Sequence, residues 1–254
     1  MFIDAHTHLY DAEFDEDLSE VIQRAKEAGV KAAQVVAIQP SDCTKILELQ
    51  KRFPEFCLPG FGIHPVQDLD EMLPWIEEHH SKLVCIGEVG LDFTPHWCKT
   101  DEDKRSQREV LLKQVYLARK YDLPLNVHSR SAGRPTIALL KEAGAESVLM
   151  HAFDGRPAYA LDGVSAGYFF SVPPSIIRGD QMKKLVQRVP LEKLILETDS
   201  PALGPEKQVR NEPANIRVSC ECIADIKGLD VDIVAQALWK NTLKLFPRIK
   251  LYMR

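Results

Sequence analysis

Residues 1–10 read MFIDAHTHLY, a short strand-like start over Phe2–Ala5 that runs directly into His6 and His8. Side chains at i and i+2 of a strand share a face, so these two imidazoles leave the strand end on the same side and can grip one ion. A single H-x-H pair among eight histidines is an ordinary event of composition. Its meaning depends on what the other strand ends carry.

Apolar runs rich in β-formers recur along the chain and alternate with amphipathic segments of helical period. The expected strands are Phe2–Ala5, Ala32–Ala37, Phe56–Gly62, Leu83–Gly87, Leu125–Val127, Val148–Met150, Tyr168–Ser171 and Leu194–Leu196. Helices are expected over 15–28, 41–52, 68–80, 104–121, 134–143 and 179–188, with two more near 213–227 and 230–246; the stretch 156–163 is short for a helix. In 15–28, Leu18, Val21, Ile22 and Ala25 form one apolar stripe that Gly29 ends. Strand–helix–strand connections are right-handed, and eight such units close most simply into a (β/α)8 TIM barrel, with an open doubly wound sheet as the alternative. No linker or repeat divides residues 1–254, so one barrel domain is expected.

The composition, 45% hydrophobic and 27% charged, is that of a soluble globular protein, and no apolar run nears the ~20 residues of a membrane helix. Asp4, His6 and His8 interrupt any secretory leader at the N-terminus. Cys43, Cys57, Cys85, Cys98, Cys220 and Cys222 lack C-x-x-C spacing, and they read as reduced thiols of a cytoplasmic or nuclear protein. A net charge of −5 argues against a general basic coat for nucleic acid, although bound divalent cations would supply positive charge where a phosphate must sit. No protein partner is implied, so a monomer is expected.

Barrel active sites form at the C-terminal ends of the strands. Strand 1 ends in His6 and His8, strand 3 in His64, strand 4 in Glu88, strand 5 in His128, strand 6 in His151 and strand 8 in Asp199. Imidazoles and carboxylates converging in one mouth fit two divalent metals about 3.5–4 Å apart, with Glu88 as the bridge between them. Without a cation, buried carboxylates facing one another would incur desolvation and repulsion. His64, in GIHP, is expected to contact a phosphate or act as an acid. Arg130, two residues beyond His128, offers a bidentate fork to a phosphate or a structural ion pair, and Arg210, Asn211 and Glu212 are expected to order the loop after strand 8. Phe93, Trp97, Phe153 and Tyr159 are expected in mouth-side loops, where bases stack or local packing occurs; His79 and His80 read as solvated surface residues.

The motifs DAHTHL at 4–9, GIHP at 62–65, GEVGLD at 87–92, LPLNVHSR at 123–130, HAFDG at 151–155, ETDSP at 197–201 and RNEPANI at 210–216 together resemble the TatD family of metal-dependent deoxyribonucleases. The resemblance runs the length of the chain. It implies a metallo-dependent hydrolase barrel with two divalent metals and 3′-to-5′ exonuclease activity. His6, His8, Glu88 and Asp199 would hold the first metal, and Glu88, His128 and His151 the second. Two positions depart from the family pattern, Asp154 where a serine is frequent and Ala202 where an aromatic is frequent, and both bear on substrate contacts.

The expected function is hydrolysis of phosphodiester bonds in DNA, single-stranded or at 3′ ends, with Glu88, Asp199 and His64 as catalytic residues and Arg130 and His64 as phosphate contacts. Asp199 would both ligate and accept a proton from water. The ions would be Zn2+, Mg2+ or Mn2+, since imidazole favours zinc and phosphodiester chemistry often uses magnesium or manganese. A small-molecule amidohydrolase or phosphoesterase on the same barrel, or a non-catalytic metal-binding scaffold, is the alternative. Many small-molecule barrels bridge their metals with a modified lysine, and no strand-end lysine is evident here.

Overall fold

The computed structural model describes residues 1–65 and 71–253. Eight parallel strands follow in chain order: β1 (Phe2–Thr7), β2 (Val30–Val36), β3 (Cys57–Phe61), β4 (Cys85–Gly90), β5 (Leu125–His128), β6 (Val148–Met150), β7 (Phe169–Val172) and β8 (Leu194–Leu196). Each pairs with the next, and β1 meets the segment after β8 through Asp199 N–H to His6 O at 2.9 Å and His8 N–H to Ser200 O at 2.8 Å. The sheet therefore curls into the expected barrel. Its seam carries three of the expected metal ligands.

Between the strands lie α1 (Leu18–Glu27), α2 (Pro40–Arg52), α3 (Met72–His79), α4 (Asp101–Tyr121), α5 (Gly133–Glu142), α6 (Pro157–Ser165) and α7 (Asp180–Arg188), followed by α8 (Ile216–Lys227) and α9 (Val231–Leu245). The expected stripe of Leu18, Val21, Ile22 and Ala25 is the buried face of α1. Capping explains the longer helix α4: Thr100 accepts from Asp103 N–H while Asp103 accepts from Thr100 N–H, which satisfies first-turn donors from Asp101 onward. The segment 156–163 does form a helix, entered by Pro157 in its first turn, where a missing N–H has no cost. Part of the helix expected over 68–80 falls on 66–70, outside the described residues.

Two apolar layers hold the barrel. Ile3, Ala5, Leu58, Val84, Leu149 and Ile195 belong to an inner cluster that Phe246 and Ile249, just beyond α9, join; a larger cluster packs the outer faces of the strands against the helices. At ~25 cal/mol per Å² of apolar surface, each fully buried Leu, Ile or Phe contributes about 1.5–3 kcal/mol. All six cysteines are free thiols. No helix among the described residues is long and apolar enough to cross a membrane.

Two local features aim the strand ends. Asp4 pairs with Ala33 but Thr7 with Val35, so β1 carries one more residue than β2 over this stretch. Such a bulge turns side chains off strict alternation, and Ala5 sits in the inner cluster while its neighbour His6 enters the mouth. At Gly90, φ is 148° and a Cβ would collide with His128 O, so only glycine lets β4 run past β5. β4 accordingly extends beyond the expected Gly87 and includes Glu88.

Candidate metal centre

The seven strand-end residues do converge at the C-terminal mouth. His8, His64, Glu88, Arg130, His151 and Asp199 all line one cavity of about 540 Å³, with His128 beside them. His6 lies beneath, fully buried.

Glu88 organises the cluster by splitting its two oxygens. Oε2 lies 3.7 Å from His6 Nε2 and 3.6 Å from His8 Nε2. Oε1 lies 2.9 Å from His128 Nδ1, 3.2 Å from His151 Nε2 and 3.9 Å from His64 Nε2. One carboxylate thus faces two separate sets of nitrogens.

On the first side, His6 Nε2 and His8 Nε2 are 3.2 Å apart, and each is 3.4 Å from Asp199 Oδ1. A tetrahedral ion with bonds of 2.0–2.1 Å has ligand–ligand edges of about 3.3–3.4 Å. The triangle formed by His6, His8 and Asp199 has that size, and Glu88 Oε2 stands slightly outside it as the fourth corner. These donors therefore fit a divalent ion without rearrangement. His6, Glu88 and His151 also bring ligand atoms within 4.8 Å of one another, as do His64, Glu88 and His128.

The outer nitrogens separate His64 from the other imidazoles. His6 Nδ1 is 2.9 Å from Asn126 Oδ1, His8 Nδ1 is 3.1 Å from Val36 O, and His128 Nε2 is 3.2 Å from Asp92 Oδ2. His151 Nδ1 lies 3.4 Å from Glu197 Oε2, a loose contact whose geometry falls short of a hydrogen bond. A ligating histidine characteristically donates its far N–H to such a partner, which fixes tautomer and orientation. His64 Nδ1 is buried with no partner among the described residues.

Charge follows this geometry. Burial holds His6 in its neutral form, pushing its pKa down to about 3, and does the same to His64, down to about 4. Burial also pulls on His151 and His128, but Glu197 and Glu88 at the first, and Asp92 and Glu88 at the second, prevail and raise both above the usual imidazole value. Burial works against ionised Glu88 and Asp199, yet the surrounding imidazoles hold both below the ordinary carboxylate range. The metal-free cluster is a set of anions sharing protons with imidazoles, where a cation can replace the protons.

Asn126, Glu197 and Asp4 stand inside the quoted motifs, but nothing local in the sequence assigns the partner that each one faces. Asn126 faces the barrel interior, accepting from His6 while its Nδ2 donates to Ala5 O at 2.9 Å. Glu197 accepts from Ala152 N–H at 2.8 Å and Ser171 Oγ–H at 2.7 Å, which leaves it aimed at His151. Asp4 accepts from Thr198 N–H and Oγ1–H and from His6 N–H, tying β1 to the segment that carries Asp199. Burial pushes the Asp4 carboxyl up to about 8. Asp199 itself sits in left-handed backbone, φ 55°, bracketed by Asn211 Nδ2–H bonds to Thr198 O at 2.8 Å and Ala202 O at 2.7 Å. Arg210 and Glu212, expected to order this loop, anchor it on α1 through Asp17 and Arg24.

The peripheral expectations divide. Arg130 is exposed at the rim and makes no salt bridge among the described residues. Phe153 is buried against Phe170 and lines a small cavity beside the mouth instead of standing free in a loop, and Tyr159 lies on α6 rather than in a loop. Trp97 is exposed. His79 and His80 are half-buried instead of solvated, because their rings stack on Trp75 and Tyr121.

Known proteins place this geometry. Residues 3–247 match the family model described as TatD related DNase. The chain is 53% identical to human deoxyribonuclease TATDN3 over 98% of its own length and 95% of that protein. It is 35% identical to YabD of Bacillus subtilis, an uncharacterized metal-dependent hydrolase, over 97% of this chain and 99% of that one. Among solved structures, the TatD homologue YJJV of Escherichia coli K12 superposes with a TM-score of 0.87 at 29% identity, covering 97% of this chain and 98% of that one. The chain belongs to the TatD related DNase family.

Proposed function

We propose that residues 1–254 work as one hydrolase domain that cleaves phosphodiester bonds of DNA with two divalent ions, removing nucleotides from the 3′ end of single strands. The observation that carries this reading is the split of Glu88, with Oε2 toward His6 and His8 and Oε1 toward His128 and His151. One ion would be held by His6, His8, Asp199 and Glu88, and the other by Glu88, His128 and His151. The imidazoles favour Zn2+, while the Glu88 and Asp199 carboxylates also admit Mg2+ or Mn2+. Family membership and the named deoxyribonuclease relative support DNA as the substrate.

When bound, the divalent ions supply a water of lowered pKa and neutralise charge that builds on the phosphate. The chain's own residues do the rest. Asp199, ionised and at the seam, accepts the proton that the attacking water loses. Arg130 orients a non-bridging phosphate oxygen from the rim through its planar fork. Neutral His64, whose far nitrogen has no anchor among the described residues, is free to hydrogen-bond to the phosphate. With its pKa pushed down to about 4 by burial it carries no imidazolium proton near neutral pH, so the leaving oxygen takes its proton from water rather than from the acid role expected of His64. Asn126, Asp92 and Glu197 hold His6, His128 and His151 in their orientations.

The test follows 3′-labelled and 5′-labelled single-stranded DNA with metal-free protein to which Mg2+, Mn2+ or Zn2+ is returned. Release of labelled mononucleotide from the 3′ end, lost in the His6→Ala/His8→Ala double variant, is expected. Equal, slow release by wild type and variant at every metal concentration refutes the nuclease reading.

A further inference from the structure

The mouth does not end at the metal centre. Beyond His128 and His151 a second cavity of about 170 Å³ is lined by Arg130, Asp154 and Leu203, and it shares the walls Ala152, Asp154 and Leu203 with a third of about 220 Å³. The walls of this last cavity change character: Phe153, Pro173, Met182 and Leu203 dominate it, with Gln181 at its edge. Gln181 Nε2–H donates to Gly155 O at 2.8 Å, which commits its donor side to the loop after β6. The backbone of Ala152 (φ 39°) and Leu203 (φ 47°) is left-handed where the two cavities join. Strained backbone of this kind persists where the surroundings over-determine it, often at ligand sites.

We propose that this apolar cavity is a nucleobase subsite: with the scissile phosphate at the Glu88 centre and Arg130, the base of the adjoining nucleotide enters between Met182, Pro173 and Leu203. The inference rests on the phosphodiesterase reading above and names where its substrate's base goes. The order of chemistry along the groove carries it. A nucleotide is an anion joined through a sugar to a flat, largely apolar ring, and the groove presents ligating side chains, then an arginine unencumbered by a salt bridge, then an apolar slot. At about 220 Å³ the slot is smaller than the ~300–1,000 Å³ of a whole small-molecule site, and so suits one ring system rather than an entire nucleotide. Arg130 lines both the metal cavity and the connecting one, which places its charge between the two functions.

Gly179 lines the slot and allows a clean test. Its φ of −162° is extended backbone open to any residue, and a Cβ there meets nothing within 4 Å, so a large side chain can fill the space without strain. Binding of thymidine 5′-monophosphate and of 2-deoxyribose 5-phosphate to the metal-loaded protein is measured by calorimetry. The nucleotide is expected to bind about 5- to 150-fold more tightly, the worth of one stacked base. Gly179→Trp is expected to abolish most of that ratio while the affinity for the sugar phosphate stays within twofold. Met182→Ala, which removes one wall and leaves the backbone alone, is expected to lower the ratio as well and guards against a filled variant that fails to fold. Equal affinity of the two compounds for wild type, or a ratio untouched in both variants, overturns the subsite. DNA hydrolysis without any preference for the base-bearing ligand removes the subsite but leaves the phosphodiesterase reading standing, whereas failure to bind either compound or cut DNA removes both.

Discussion

Replacing Asn126 by alanine separates two jobs that one side chain performs. Asn126 is fully buried, accepts from His6 Nδ1–H at 2.9 Å and donates to Ala5 O at 2.9 Å. The truncation leaves a buried imidazole N–H and a buried carbonyl without partners, each costing about 1–3 kcal/mol, so the folded state should lose about 2–6 kcal/mol. His6 also loses the group that fixes its tautomer, and affinity for the ion between His6, His8 and Asp199 should fall about 10- to 100-fold. Asn241 is the control. Its Nδ2 donates to Leu191 O and Leu194 O, both at 2.8 Å, at the opposite end of β8. Asn241→Ala should cost comparable stability and leave metal affinity unchanged. Urea unfolding gives the first quantity and competitive metal titration the second. Wild-type affinity in Asn126→Ala, or an equal loss in Asn241→Ala, would refute the positioning role of Asn126.

Further outcomes follow from the same geometry. His64→Ala should retain both metal equivalents yet lose at least ten-fold in hydrolysis, because its far nitrogen is unanchored and its near one stands 3.9 Å from Glu88 Oε1; inductively coupled plasma mass spectrometry beside a nuclease assay checks this, and loss of one equivalent contradicts it. In the metal-free protein, burial lowers but Glu197, Asp92 and Glu88 more than restore the pKa values of His151 and His128, so both lie above the usual 6.5. A raised imidazole pKa stabilises the fold fully below its unfolded value and loses that contribution as pH rises through the folded value. The melting temperature of metal-free protein should therefore fall as pH climbs above 6.5, while metal affinity, which needs neutral imidazoles, rises over the same window. Scanning fluorimetry with and without Zn2+ reads both, and a metal-free melting temperature that climbs with pH sinks this assignment of charge.

Strand number, order and the convergence of the strand-end histidines and carboxylates were legible because buried parallel strands read as short apolar runs and a barrel places function at their C-terminal ends. The side chains behind those ends were not. Asn126 sits inside a strand where the sequence shows only a polar interruption, and its partner His6 is 120 residues away. Glu197 and Asp92 lie inside recognisable motifs, but which imidazole each faces depends on inter-strand placement that no local pattern encodes. The simple i, i+2 argument for His6 and His8 reached the right convergence without seeing the bulge between Asp4 and Thr7. Helix α6 was underrated because it is short and Gly163 weakens its propensity; burial of Ala160 and Gly163 against the barrel overrides this. Sequence also placed Phe153 beside the mouth correctly while leaving open whether its ring was free, a question of packing alone.

The central claim is that Glu88 joins two divalent ions, and anomalous diffraction from crystals grown with Zn2+ or soaked in Mn2+ tests it most directly. The account predicts two peaks on opposite sides of the Glu88 carboxylate, one against His6, His8 and Asp199 and the other against His128 and His151. A single peak, or none, at full metal concentration would contradict it.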